Sequence, residues 1–270
     1  VGIIVAIFNS DQWNMTEKDL TYDNINTTIY DADGNEIANL AGAERRKVVP
    51  LSEIPKHLQD AYISIEDERF EQHHGVDIKR TLAVTVKYIL HRGSSSSGGG
   101  STITQQTVKN FMNDKDDSGL GGIKRKVREM SRAIKLEKQL SKSQILELYL
   151  NLIFVGGPGI HGVELGSQYY FNKSVKDLDL AECAFLAGIN NAPNSYNPFE
   201  EKDNSELIKK RTKTVLAKMK ELGKITEEEY NSAKEEVEAG LKFEQGTTTT
   251  NVSMSYLARA AFNQVVKDYA

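Results

Sequence analysis

Cysteine is nearly missing from these 270 residues: Cys183 stands alone. No intrachain disulfide can form, which excludes a disulfide-stapled extracellular scaffold without deciding the compartment. Proline is scarce, at 5 residues, while charged residues make up 27%, an ordinary folded composition rather than a disordered one. An excess of positive charge is lacking too. The net charge of −4 argues against a general nucleic-acid binder, so no nucleic-acid partner is expected, although a local basic patch remains open. Long apolar runs are absent: Val1–Phe8 is apolar apart from Gly2 but falls short of the roughly 20 residues that span a bilayer. It reads either as the tail of a truncated transmembrane helix, with Trp13 placed as an interfacial aromatic, or as a frayed apolar terminus. The chain begins at Val1 without a methionine, which suggests a fragment. Strand signals are too few for a doubly wound sheet, and no internal repeat is visible, so a mainly α-helical domain with one small β element is expected. The length suits one or two domains of about 150 residues.

What is present is organised around Ile65–Asp77, a stretch of acids, Arg69, the pair His73-His74 and a turn glycine. It follows a helix predicted from Ile54 to about Glu68, with Pro55 suited to the first position. Leu58, Ala61, Tyr62 and Ile65 recur at helical spacing and mark its buried face. Glu66 then sits near the helix's C-terminal end, beside that face. The negative end of the helix dipole and partial burial both disfavour its charged form, which suits a general base. Taken alone, the stretch reads as well as a solvated acidic helix end.

The remaining elements follow in order. Ile29–Ile37 looks like a short hairpin around Asp33-Gly34. Lys79–His91 is an amphipathic helix with Leu82, Val86, Ile89 and Leu90 on one face, either core or, with its cations, a face resting on an anionic membrane. Gly93–Gly100 is a flexible, low-complexity loop. Ser101 caps the next helix, whose glycine-preceded start is a candidate anion site, but no lysine follows the last glycine, so it is not a nucleotide P-loop. Asp114–Gly122 is a second polar loop. Ile123–Leu140 is a basic helix, with Lys124, Arg128, Arg132 and Lys135 on one face, Val127, Met130 and Ile134 on another, and Arg125 one turn from Glu129. A nearly all-positive face in an acidic chain points to an anionic ligand. Ser141–Gln144 is a capping box, and Gly156–Gly159 ends that helical unit. Leu180–Ile189 is a core helix with an inert thiol. Helices from about Glu206 to Leu222 and Thr226 to Gly240 precede a linker candidate, Gly246 to Thr250.

Five of these stretches, in this order, resemble the peptidoglycan glycosyltransferases of glycosyltransferase family 51, the N-terminal catalytic module of class A penicillin-binding proteins. They are Glu66-Asp67 with Phe70, His73 and Gly75; Gly100–Gln106 with Lys109-Asn110; Arg125-Lys126 with Glu129; Ile145–Asn151; and Arg211 with Val215-Leu216. The resemblance covers about Ile29 to Gly240. It implies a lysozyme-like α-helical glycosyltransferase domain with a small β-hairpin near the N-terminus. The implied division is an anchor and juxtamembrane stem over 1–20, the catalytic domain over 21–245 and, over 246–270, a linker towards a transpeptidase domain. No Ser-x-x-Lys or Lys-Thr-Gly occurs in the sequence, so the penicillin-binding site lies elsewhere. The implied location is the cell membrane, single-pass, with the catalytic domain on the extracytoplasmic side. The implied partners are lipid II, the growing glycan chain, the membrane, and cell-division or elongation proteins. The Gly93–Gly98 loop, the Gly119–Gly122 glycines and Phe154, where the family often has tyrosine, depart from the pattern.

By position the resemblance makes Glu66 the catalytic carboxylate, with Glu129 as the second acid of the site. The substrate-binding positions it implies are Asp67, Ser101, Thr102, Thr104 and Gln105 on one side. Gln106, Lys109, Arg125, Lys126 and Arg128 complete them. Glu66 would take the proton of the acceptor's 4-hydroxyl as it attacks the anomeric carbon, inverting an α donor to a β-1,4 product. A glycosidase needs a second carboxyl to protonate a poor leaving group, whereas a pyrophosphate leaves as a stable anion that cations can hold. Glu129 then orients the cations. No cofactor is required. A divalent cation, magnesium or manganese, is compatible with holding the pyrophosphate, although the sequence shows no dedicated metal cage. Rival readings are a lysozyme-like glycan-cleaving enzyme, a His73/His74 metal hydrolase and a non-catalytic membrane-anchored scaffold. Adjacent histidines point differently, which leaves His73 better suited to bracing the turn at Gly75.

Overall fold

The computed structural model describes residues 27–30, 36–40, 45–83, 100–112, 119–157 and 159–246. The β-prone runs flanking Asp33-Gly34 pair as strands β1 (Thr27–Tyr30) and β2 (Glu36–Leu40), antiparallel with Thr27 opposite Leu40; the turn itself lies outside the described residues. A second sheet has no counterpart in the sequence reading. β3 (Arg45–Arg46) runs parallel to β5 (Ile160–His161), which pairs antiparallel with β4 (Phe154–Gly156). Its strands of two and three residues leave no alternation to detect. The glycines at 156–159 therefore turn a β connection and do not end the helix, which stops at Leu152.

Helix α1 (Lys56–Glu66) begins two residues later than expected, because Leu51–Glu53 forms its own 3-10 turn and Pro55 serves as the N-cap. Next come a helical segment over 78–83, α2 (Ile103–Met112), α3 (Gly119–Gln139), α4 (Lys142–Leu152) and α5 (Val163–Phe171). The set ends with α6 (Leu180–Gly188), α7 (Ser205–Glu221) and α8 (Glu227–Ala239). Gly119–Gly122, read as loop, form the first turn of α3. Glycine costs about 1 kcal/mol against alanine in a helix, and that propensity does not set the boundary here. The architecture is mainly α with a small hairpin, as expected. Of the Lys79–His91 helix only residues up to 83 fall among those described, and the Gly93–Gly98 loop, residues 1–26 and residues 247–270 lie outside them.

α6 is nearly all apolar because it is buried all round: every residue from Ala181 to Gly188 is buried, Glu182 included. α1 and α7 pack on it, and α8 packs on α7. α2 packs on α3 and α4 as a second group. The two groups meet where Tyr62 of α1 sets its ring edge-on to Tyr149 of α4 at 5.9 Å, both fully buried. Fully burying a side chain such as Leu58 contributes about 1.5–3 kcal/mol. Beyond α8 the chain stays docked: Phe243 stacks on Phe171 at 5.5 Å, and the Gly246 N–H donates to the Tyr169 carbonyl at 3.3 Å. Gly246, the first residue of the expected linker, is thus still held on the domain.

Candidate active site

Glu66 is the last residue of α1. The helix stops there because Asp67 leaves helical backbone geometry (φ −154°, ψ 70°) and sends its side chain sideways. Asp67 is fully buried. Its Oδ2 accepts from the Ile103 N–H at 3.0 Å and lies 2.8 Å from His73 Nε2. One carboxylate thus ties the end of α1 to the start of α2, the positive end of that helix's dipole. His73 braces the turn as expected. The φ of Gly75 is +86°, and a Cβ there would lie 2.5 Å from the Ala133 carbonyl, so only glycine lets this turn approach α3.

A second layer of bonds holds the same loop. Arg69 grips Asp77 through Nε at 2.9 Å and Nη2 at 2.8 Å. Burial pushes the Asp77 carboxyl up, but the Arg80 N–H and the Arg69 guanidinium outweigh it and leave Asp77 below its ordinary range. Arg80 in turn donates to the Glu66 carbonyl at 2.5 Å, a cation at the negative end of α1. Thr102 Oγ1 donates to the Gly75 carbonyl at 2.6 Å.

α2 is capped by Thr102, not by Ser101 as the sequence suggested. Thr102 Oγ1 accepts from the Gln105 N–H at 3.1 Å, and Gln105 Oε1 accepts from the Thr102 N–H at 2.9 Å. This frees the Ser101 hydroxyl, which accepts from Lys126 at 2.7 Å. Lys126 also bonds Glu129, and Arg125 lies 3.5 Å from the same carboxylate. Glu129 is buried between two cations.

The ten positions expected to bind substrate separate by exposure. Asp67, Thr102, Thr104 and Gln105 are buried and bonded to protein, so they build the site's walls and offer no open face. Thr104, for instance, donates to Glu137 at 2.6 Å. Ser101, Gln106, Arg125, Lys126 and Arg128 are half-buried, and Lys109 is exposed. Gln106 and Lys109 lie three residues apart, on one face of α2. Gln106 Nε2 donates to Glu66 Oε2 at 3.0 Å, so Glu66 stays half-buried and reachable.

Sequence reasoning missed several partners. Lys142, read as part of a capping box only, donates to Glu137 at 2.7 Å and to the His73 carbonyl at 2.8 Å, and lies over the Phe70 ring. The box itself is formed by Ser141 and Gln144, as expected. Tyr149 and Asn190 reach the site through Gln106. Tyr149 sat inside the fourth motif, but nothing local marked Asn190. Met130 and Ile134, placed on an apolar face of α3, line a groove of about 430 Å³ with Val76 and Ile78; the α3 core face is Val127, Ala133 and Leu136. Among the described residues, no group of three His, Cys, Asp or Glu side chains is placed to hold a metal.

The domain is helical, with Glu66 half-buried at the end of α1, and residues 33–220 match the family model described as Transglycosylase. The chain belongs to that family. It is 41% identical over 273 residues to penicillin-binding protein 1A of Clostridium botulinum (strain Langeland), covering 99% of this chain and 32% of the relative. It is 42% identical over 245 residues to penicillin-binding protein 1A of Clostridium perfringens (strain 13), covering 89% and 35%. It is 40% identical over 239 residues to penicillin-binding protein 1F of Bacillus subtilis (strain 168), covering 88% and 31%. The chain spans about a third of the length of these curated relatives. A crystal structure of penicillin-binding protein 1A from Haemophilus influenzae aligns with 91% of this chain and 25% of that one, with TM-score 0.46 and 23% identity.

Proposed function

We propose that this chain is a peptidoglycan glycosyltransferase module that polymerises lipid II into β-1,4-linked glycan and releases undecaprenyl pyrophosphate. One observation carries the reading. The Asp67–Ile103 bond brings Glu66 to the start of α2, and the Ser101–Lys126 bond brings the cationic face of α3 to that same start. A lone carboxylate beside cations suits a reaction whose leaving group is already a stable anion. Glu66 takes the proton of the acceptor hydroxyl as that oxygen attacks the anomeric carbon from the face opposite the pyrophosphate, so the configuration inverts. Lys109, Lys126 and Arg125 hold the departing pyrophosphate, and a magnesium or manganese ion, where used, travels with the pyrophosphate. Glu129 orients the cations. Asp67, Thr102, Thr104 and Gln105 serve the substrate indirectly, by fixing the backbone around Glu66.

Ile78 and Leu82 are 67% and 59% exposed, and Ile78 lines the groove that holds Met130 and Ile134. In this reading they rest on the membrane that carries the lipid, with the domain on the extracytoplasmic side. Among the described residues no helix is long and apolar enough to cross a membrane; the anchor expected over 1–20 lies outside them. Incubation with labelled lipid II tests the reading. Glycan polymer with stoichiometric lipid pyrophosphate is expected. Cleavage of preformed glycan without lipid pyrophosphate would establish a lysozyme-like enzyme instead, and binding without turnover a scaffold.

A further inference from the structure

Three hydrogen bonds run inward from Glu66. Gln106 Nε2 lies 3.0 Å from Glu66 Oε2, the Tyr149 hydroxyl 3.4 Å from Gln106 Oε1, and Asn190 Nδ2 3.0 Å from the Tyr149 oxygen. Their directions follow from one end. An ionised carboxylate only accepts, so the Gln106 group facing it is the N–H. The Gln106 carbonyl then faces Tyr149, whose single proton goes to it. The hydroxyl lone pairs are left for the Asn190 N–H. Asn190 belongs to the turn after α6, so the chain links four elements that are distant in sequence: α1, α2, α4 and that turn.

We propose that Tyr149 and Asn190 are positioning residues that lock the Gln106 amide with its N–H towards Glu66; this rests on the reading of Glu66 as the base. Tyr149 is placed for that task. Its ring is fully buried against Tyr62 and cannot follow the substrate. Burial, reinforced by the charge of Glu66, holds its phenol well above the ordinary value of 10, so its proton stays on the oxygen. Gln106, by contrast, is a half-buried side chain with a symmetric outline. Without the hydroxyl its carbonyl gains nothing by facing inward. Turned over, it would aim an oxygen at Glu66, repel the charged carboxylate and accept a bond from the protonated one. The glutamate would then hold its proton to higher pH and fail as a base on the acid side.

Tyr149→Phe removes the hydroxyl and keeps the ring. With lipid II as substrate, its acid limb moves to higher pH. At an acid pH kcat falls about tenfold, the scale of one hydrogen bond to a charged group, while KM holds and activity recovers as pH rises. Asn190→Ala moves the limb in the same direction and carries the test if the phenylalanine variant does not fold. Tyr62→Phe removes a neighbouring buried hydroxyl, bonded to the Leu186 carbonyl at 3.0 Å, and leaves the limb in place. A uniform loss at every pH in Tyr149→Phe, or an equal movement in Tyr62→Phe, overturns the proposal. Isotope-edited NMR of the glutamate carboxyls, with Glu66 assigned from Glu66→Gln, follows the same titration without turnover. An unmoved Glu66 titration in Tyr149→Phe overturns the positioning role even in a protein that polymerises. A moved titration in a protein that does not polymerise lipid II sustains the positioning role and removes the base.

Discussion

Glu66→Gln separates proton transfer from shape. Glutamine keeps the outline and can still meet Gln106, but it takes no proton at neutral pH. General-base catalysis contributes about 100- to 10,000-fold, so polymerisation of labelled lipid II should fall by at least the lower figure. Lipid II binding should survive, since the cations sit on α2 and α3; a folded Glu66→Gln protein with normal turnover would remove Glu66 as the base. Lys109→Ala probes the other half of the site. A charge-assisted phosphate contact lowers kcat/KM about tenfold or more when lost. Its comparison is Lys234→Ala on the exposed face of α8, which should change little. Lys142, an exposed capping-box lysine on the sequence reading, is no such comparison: its ammonium joins Glu137 to the His73 carbonyl, so its loss disturbs the loop. Equal activities for Lys109→Ala and Lys234→Ala would count against the pyrophosphate site.

At the scale of elements, the joint between α1 and α2 depends on Asp67. The resemblance implied a substrate-binding role for this position, about 100° away from Glu66 around an ideal helix. Fully buried, it accepts from Ile103 and His73 instead. Asp67→Asn keeps the size but weakens both bonds, because both donors meet the single Oδ2 and the amide oxygen that would replace it carries no charge. Chemical denaturation should show a loss of about 1–3 kcal/mol, and unchanged stability would place the joint elsewhere. The 78–83 segment carries a second test. Ile78→Glu with Leu82→Glu adds charge at two exposed apolar positions, so vesicle binding should drop while circular dichroism is unchanged; retained binding sinks the membrane contact. Periodic elements were legible in advance. α6, α7 and α8 were found to within a residue or two, as was the start of α4, since their caps and apolar faces are local. The Thr102 cap was misplaced by one residue, because Ser and Thr stand side by side and only the Gly75 contact chooses between them. The short sheet and the Gln106–Tyr149–Asn190 chain depend on pairing across distant segments, which no window of sequence contains.

For the whole molecule, stability against pH follows from where carboxylates are crowded. Burial is the first cause that raises Glu182 at the start of α6; Asp179 adds to it, while Lys173, at 2.7 Å, and the Asp179 N–H oppose it. Burial also raises Glu236 of α8, followed by the charges of Asp179 and Glu182. Three acids from two helices thus face one lysine. A raised folded-state carboxyl contributes stability that is fully present below its ordinary value of 4.5 and is lost as pH rises through the raised one. Asp77 acts with the opposite sign: lowered from 3.8, it contributes stability above that value and loses it as pH falls through the folded one. These groups together place the most stable pH between the two windows, on the acid side of neutrality. Glu236→Gln removes one crowding charge and leaves an amide that can donate to Asp179. Denaturation midpoints should therefore rise at about pH 7, and the gain on moving to about pH 5 should shrink. The change is at most about 1 kcal/mol, because Glu236 lies largely in solvent. A Glu236→Gln protein with the same slope between those two pH values would show that the repulsion between α6 and α8 is already screened.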